Sequence, residues 1–211
     1  IFSRQDDTSH SEIHLIPIVK EVAKQQKAAL PDSIEVKSVI RGETDLVLSN
    51  PTQIHQIITN LCTNAAYAMK ETGGTLELRL SQFHLAWRHR HEFPGLKKGQ
   101  YLRLSIRDTG SGMDEKTVKR IFEPFFSTKP RGEGTGMGLA VVQNIVTGFK
   151  GGIAVESKPG EGTSVHIALP LIETAEEINT AEQAIPPTSI EHILFVDDDT
   201  SIIRMAEHML V

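Results

Sequence analysis

Three short stretches of this chain set chemistry-bearing residue types at telling intervals. In "NLCTNAAYAM", Asn60 and Asn64 stand four apart, with Gln56 one turn earlier. On a helix that spacing projects the amides from one face. An amide carbonyl is a hard oxygen ligand suited to Mg²⁺ and can accept from phosphate-bound water; a solvated polar face has the same spacing. In "SIRDTGSGM", Asp108 ends a strand-like run and is followed by Gly110 and Gly112. A carboxylate there can accept from the exocyclic amine of a flat ligand while the glycines let backbone approach it. An ordinary Asp-Gly turn reads the same way. In "FEPFFSTKPRGEGTGMGLAVV", Gly132, Gly134, Gly136 and Gly138 alternate ahead of an apolar run. Glycine serves slackness and close backbone approach equally, but a glycine run that opens a helix presents free N–H groups and a dipole that favour phosphate. Neither a G-x-x-x-x-G-K-[ST] loop nor a G-x-G-x-x-G fingerprint occurs.

Elements of regular structure must hold these stretches. Residues 13–30 carry Leu15, Val19, Val22 and Ala23 at helical spacing and stop before Pro31. Residues 33–40 alternate as a half-buried strand. The clearest helix is "SNPTQIHQIITNLCTNAAYAMK": Asn50 caps it, Pro51 suits its first turn, and Gly73-Gly74 ends it. Ile54, Ile57, Ile58, Leu61, Ala65 and Ala68 share one apolar face. "TLELRLSQF" and "QYLRLSIRD" read as strands, with a loop or irregular hairpin end between them. Short helices are expected over 114–121 and from about Met137 to Phe149. "GIAVES" and "GTSVHIALP" form a closing hairpin around "KPGEG".

The remaining bounds are broad. At 211 residues the chain can bury one good core and begin a second. A net charge of −5 argues against a nucleic-acid binder. A single cysteine, Cys62, excludes an internal disulfide and fits a reducing compartment. No apolar run approaches the roughly 18 residues of a membrane span, and no secretory signal heads the chain. The expectation is a soluble cytoplasmic domain without direct membrane contact, cut from a longer parent that is itself either free or membrane-anchored.

In order, "NLCTNAAYAM", "DTGSGM", "IFEPFFSTK", "GEGTGMGLAVV" and "GEGTSVHIALP" resemble the N box, first glycine box, F box, second glycine box and closing segment of the catalytic ATP-binding domain of sensor histidine kinases. The resemblance runs from Leu15 to Pro170, and the wording is most similar to the nitrogen-regulation and hybrid-kinase branch. It implies an α+β fold, a two-layer sandwich with a mixed sheet and helices on one face, with ATP held between the N-box helix and a mobile lid. It also implies Mg²⁺ on Asn64 with Asn60 supporting it, and Asp108 reading the adenine amino group with Gly110, Gly112 and Met113 beside it. Thr163 resembles the threonine near an adenine-bound water. Gly134, Thr135, Gly136, Gly138 and Leu139 resemble the lid that meets the phosphates. Phe125, with Phe126, resembles the F-box aromatics, better suited to anchoring the lid than to touching substrate. Without nucleotide, 127–137 is expected to be poorly ordered.

One departure from the family pattern and one contrast with other proteins of the same fold carry weight. Many relatives place Lys or Arg three residues after the second N-box asparagine, where this chain has Tyr67. Lys129 or Arg131 is therefore the candidate for neutralising phosphate charge, and solvated side chains are the alternative. Gyrase-like and chaperone-like ATPases on the same fold place a water-activating glutamate four residues before the Mg²⁺ asparagine. Here Asn60 stands there, with no useful basicity. Neutral imidazole needs no such base, so transfer to histidine is favoured over an ATPase, and a nucleotide-binding module without chemistry stands as a third reading.

The resemblance further implies a phosphoacceptor histidine on an upstream dimerising hairpin. Residues 1–12 are expected to be its end, and the chain alone is expected to bind Mg·ATP without phosphorylating itself. Residues 172–190 have linker composition. "HILFVDDDTSIIR", within 191–211, resembles the start of a receiver domain, with Asp197 and Asp198 as its Mg²⁺ pair. A receiver domain or response regulator is thus the expected partner. His84, His89 and His91, among Arg88, Arg90, Lys97 and Lys98, lack a completing ligand set and read as a solvated basic loop. Cys62 reads as a small core residue.

Overall fold

The computed structural model describes residues 10–42, 44–86, 91–130 and 133–172. Helical spacing of Leu15, Val19, Val22 and Ala23 becomes the buried face of α1 (Leu15–Ala29). The first strand, β1 (Ser11–His14), precedes it, and β2 (Ile34–Arg41) and β3 (Leu46–Ser49) follow. Asn50 then caps α2 (Pro51–Ala68): its Oδ1 accepts the Gln53 N–H at 3.1 Å, and Pro51 occupies the first turn. Gly73, at φ +65°, turns the chain into β4 (Gly74–Leu85). The remaining elements are β5 (Gly99–Asp108), α3 (Glu115–Val118), α4 (Gly138–Gly148), β6 (Gly152–Lys158) and β7 (Gly162–Pro170).

Five strands form a mixed sheet in the order β2-β4-β5-β7-β6, with β2 parallel to β4 and every other pair antiparallel. Alternation along β4, β5 and β7 sends Leu76, Leu78, Leu80, Leu104, Ile106 and Ile167 into one core with α1, α2 and α4. Ile54, Ile57 and Ile58 of α2 are fully buried there, each contributing about 1.5–3 kcal/mol of transfer free energy. The α/β sandwich expected from the sequence is the observed architecture. Among the described residues no helix is long and apolar enough to cross a membrane.

Tertiary structure adds two features. Strands β1 and β3 pair antiparallel as a separate two-stranded sheet, with Ile13 opposite Val47. Ser11 and Glu12, the last residues of the 1–12 segment expected to end an upstream hairpin, are strand residues here. Beyond the helix-covered face, Leu85, Phe93, Tyr101 and Ala168 form a second small cluster. Phe93 lies in the segment read as a solvated loop, yet it is only 1% exposed. Of the expected 114–121 helix, only Glu115–Val118 forms, capped by Asp114. The linker and receiver-like segments, 173–211, and residues 1–9 lie outside the described residues, as do His89 of the basic loop and Gly132 of the glycine run.

Candidate functional site

The site is built where α2, the end of β5, the start of β7 and the start of α4 converge. They enclose a cavity of about 400 Å³ lined by Asn60, Asn64, Tyr67, Asp108, Thr163 and Leu139 among others. The five-strand register explains the first grouping: Asp108 is the last residue of β5 and pairs with Leu76 on one side and Thr163 on the other. The carboxylate is 6% exposed. Its Oδ1 accepts from the Gly110 N–H at 2.9 Å and from the Thr163 N–H at 3.3 Å. Burial pushes its pKa up, opposed by those two N–H donors. Ser157, which sequence reasoning missed, ties this end together: its Oγ lies 2.9 Å from Thr163 Oγ1, accepts the Met113 N–H at 2.8 Å and donates to the Gly162 carbonyl at 3.0 Å.

A second grouping gathers on α2. The i, i+4 spacing places Asn60 and Asn64 together on the cavity wall, as their sequence interval requires. Asn64 Oδ1 accepts from Lys129 Nζ at 3.2 Å. The ammonium also lies 4.3 Å from the centroid of the Tyr67 ring. Desolvation lowers the Lys129 pKa, while the Glu133 carboxylate acts the other way. Desolvation, then Glu133, raises the Tyr67 pKa. Helix α4 begins at Gly138 with Met137 as its N-cap and no side-chain cap, so its first N–H groups take no cap from that residue. The β-carbon position of Gly138 lies 3.5 Å from Asn60 Oδ1, placing the helix start beside α2.

The glycines divide into kinds that sequence spacing alone does not separate. Gly112 lines the cavity, yet its left-handed φ of +64° and the Lys158 carbonyl 1.9 Å from a would-be Cβ show that the protein's own backbone demands it. Gly110 is not among the lining residues; a Cβ there would meet the Ala68 backbone at 2.6 Å. Gly136, at φ +66°, packs its would-be Cβ 2.4 Å from the Phe125 carbonyl carbon, and its own carbonyl accepts the Phe125 N–H at 3.0 Å. Gly134 meets only side chains, Ser127 and Lys129. Gly134, Thr135, Gly136, Gly138, Leu139 and Met113 all line the cavity.

Besides Gly110, a second expected residue is not brought in. Phe125, grouped with the ligand-binding residues on the sequence, is 78% exposed at φ +66°, and Phe126 lines the cavity instead. The reason is local: the left-handed turn that docks the Phe125 N–H on Gly136 points its side chain outward. Arg131 lies outside the described residues. No group of three or more His, Cys, Asp or Glu that could hold a metal ion occurs among the described residues.

Residues 49–173 match the family described as "Histidine kinase-, DNA gyrase B-, and HSP90-like ATPase". Among curated proteins, the sensor kinase CckA of Brucella abortus is 28% identical over 95% of this chain and 22% of its own length. Sporulation kinase E of Bacillus subtilis is 29% identical over 84% of the chain and 22% of its own length. The chain thus spans about a fifth of these relatives. In fold, it is similar to the mycobacterial sensor histidine kinase MprB, with a TM-score of 0.61 and 23% identity over 78% of this chain and 99% of that one. Full-length ShkA in complex with AMPPNP gives a TM-score of 0.62 and 22% identity over 80% of this chain and 32% of that one. The matched family model spans the N-cap of α2 through β7, the same elements that build the cavity, and the chain belongs to the histidine kinase-, DNA gyrase B- and HSP90-like ATPase family, with sensor histidine kinases as its relatives.

Proposed function

We propose that this domain binds Mg·ATP in the cavity and acts as the catalytic ATP-binding domain of a two-component sensor histidine kinase. Its γ-phosphoryl acceptor would be a histidine on a separate helical hairpin. The observation that carries the proposal is the single cavity joining a buried carboxylate, Asp108, to the Asn60, Asn64 and Lys129 group. A carboxylate held by two backbone N–H groups is fixed to accept from an exocyclic amine, and Met113 and Leu139 supply apolar surface for a flat base.

Phosphoryl transfer depends mostly on positioning and charge neutralisation. The uncapped start of α4 at Gly138 and the Lys129 ammonium offer positive potential to phosphates, and Arg131 is a second candidate in the same loop. Asn64, supported by Asn60, would hold Mg²⁺ through its amide oxygen; when bound, the metal neutralises phosphate charge. Two neutral amides suit an ion that arrives already carried by phosphates. Asn60 cannot serve as a general base for water, which favours transfer to an imidazole over hydrolysis. The parent is proposed to be a hybrid kinase, free or membrane-anchored, with this domain in the cytoplasm and Asp197 and Asp198 in a receiver domain.

Calorimetric titration with Mg·ADP, wild type against Asp108→Asn, tests the binding step. Loss of one charged hydrogen bond predicts affinity about ten- to hundredfold weaker in the variant; equal affinity removes the base-reading role. Radiolabelled ATP then tests the chemistry. Label is expected only on an added hairpin protein that carries the acceptor histidine. Rapid release of inorganic phosphate would favour the ATPase reading, and stable label on a histidine of this chain would overturn the expectation that it does not phosphorylate itself.

A further inference from the structure

Tyr67 is the aromatic residue on the cavity face of α2, three residues after Asn64, so the two side chains stand one turn apart over the same space. Lys129 is the one cationic side chain among the described residues that line the cavity. Its Nζ makes two contacts at once, donating to Asn64 Oδ1 at 3.2 Å and resting 4.3 Å from the Tyr67 ring centroid. An ammonium has three N–H donors and no acceptor, so it binds an oxygen and a π face with different sides of the same group.

We propose that Tyr67 is a positioning residue that seats Lys129 for the phosphates. This rests on the Mg·ATP reading above. Asn64 Oδ1 is the oxygen assigned there to the metal, so metal binding must take it from Lys129. The ring offers no oxygen for which the metal competes. It therefore keeps the ammonium in the cavity while Asn64 changes partner, and Glu133, which also acts on Lys129, does not draw it away. Partial desolvation of Lys129 strengthens both contacts, because charge is less screened there.

The tests use the whole chain with Tyr67→Leu, which removes the ring, and Tyr67→Phe, which keeps it. Calorimetry with Mg·ADP, a non-hydrolysable Mg·ATP analogue and AMP is expected to show Tyr67→Leu weakening the phosphate-rich ligands about three- to tenfold. AMP should be unaffected, and Tyr67→Phe, which loses the hydroxyl's hydrogen bond to Glu133 but keeps the ring, should stay closer to wild type than Tyr67→Leu. The loss should vanish in a Lys129→Met background, since the ring then has nothing to seat. Equal weakening for AMP and the ATP analogue, or an undiminished Tyr67→Leu effect without Lys129, overturns the proposal in favour of a shape role. A readout independent of nucleotide is the NMR shift of the Lys129 ε-protons. Ring current should move them upfield in wild type and Tyr67→Phe; no displacement in wild type overturns the seat by itself. A wild type with that displacement that binds none of the three ligands instead overturns the Mg·ATP reading, and the phosphate role with it.

Discussion

Asp108 and Thr163 are register partners across β5 and β7, and the Thr163 N–H donates to the Asp108 carboxylate that the pairing buries. The two strands thereby hold a carboxylate whose charged form burial disfavours. Burial raises the Asp108 pKa, so above its folded pKa ionisation costs more in the native chain than in the unfolded one. Stability attributable to this group is greatest below the unfolded value and is lost as pH rises through the folded one.

Asp108→Asn is therefore expected to bind Mg·ADP poorly while melting no lower than wild type at pH 7.5. Its advantage should shrink as pH falls through the raised folded pKa, where the wild-type carboxyl protonates. Thermal melts at several pH values check this; a variant that melts well below wild type at neutral pH would show that the carboxylate is structural.

Gly112 and Gly138 should respond oppositely to alanine. Gly112 has a left-handed φ and no room for Cβ beside the Lys158 carbonyl, so Gly112→Ala is expected to cost about 2–4 kcal/mol. At Gly138 a Cβ meets only the Asn60 side chain, Oδ1 at 3.5 Å and Cγ at 3.8 Å. Gly138→Ala should shift stability by less than about 1 kcal/mol, yet weaken nucleotide binding by intruding where phosphates are proposed to lie. Urea unfolding and calorimetry on the two variants separate these effects.

His166 lies opposite Ser105 on β7 and β5, with its Nδ1 2.8 Å from Ser105 Oγ. Desolvation is the main cause of its lowered pKa; Glu156 and Glu92 oppose it, and Arg103 adds to it. A base with a depressed folded pKa contributes stability that is present above the unfolded value, about 6.5, and is lost as pH falls through the folded one. The urea midpoint of wild type should fall more between pH 7.5 and 5 than that of His166→Gln. Parallel curves would remove His166 as a source of acid sensitivity.

Cys62, fully buried on α2, has its thiol pKa pushed up to about 12 by burial. Thiolate is the reactive form, so a disulfide reagent should label native protein only as fast as the core opens and label it rapidly in denaturant. Fast native labelling would mean that the inner face of α2 is exposed.

The helices α1, α2 and α4 and the sheet strands were legible because each buries one face, and burial imprints a period of 3.6 or 2 on the sequence. The cap at Asn50 was equally local: donor and acceptor lie three residues apart. The α1 start was not. His14 gives it no side-chain cap; instead, Asp45 accepts the Ile16 N–H at 2.6 Å and lies 2.6 Å from His14 Nδ1. That partner stands 29 residues from Ile16, on the approach to a β3 strand too short to carry a clear period of its own.

Sequence by itself determined which residues could meet a phosphate-bearing ligand, since the amide interval on α2, the carboxylate ending β5 and the glycines before α4 are fixed along the chain. Tertiary structure decided what those residues face. Only strand register puts Thr163 and Ser157 around Asp108, and only the packing of residues 126–130 against α2 brings Lys129 onto Asn64 and Tyr67. It also sorted the glycines, because a missing Cβ records that something is close without recording what. For Gly110, Gly112 and Gly136 the neighbour is the protein's own backbone; at Gly138 a Cβ would make ordinary contact with the Asn60 side chain.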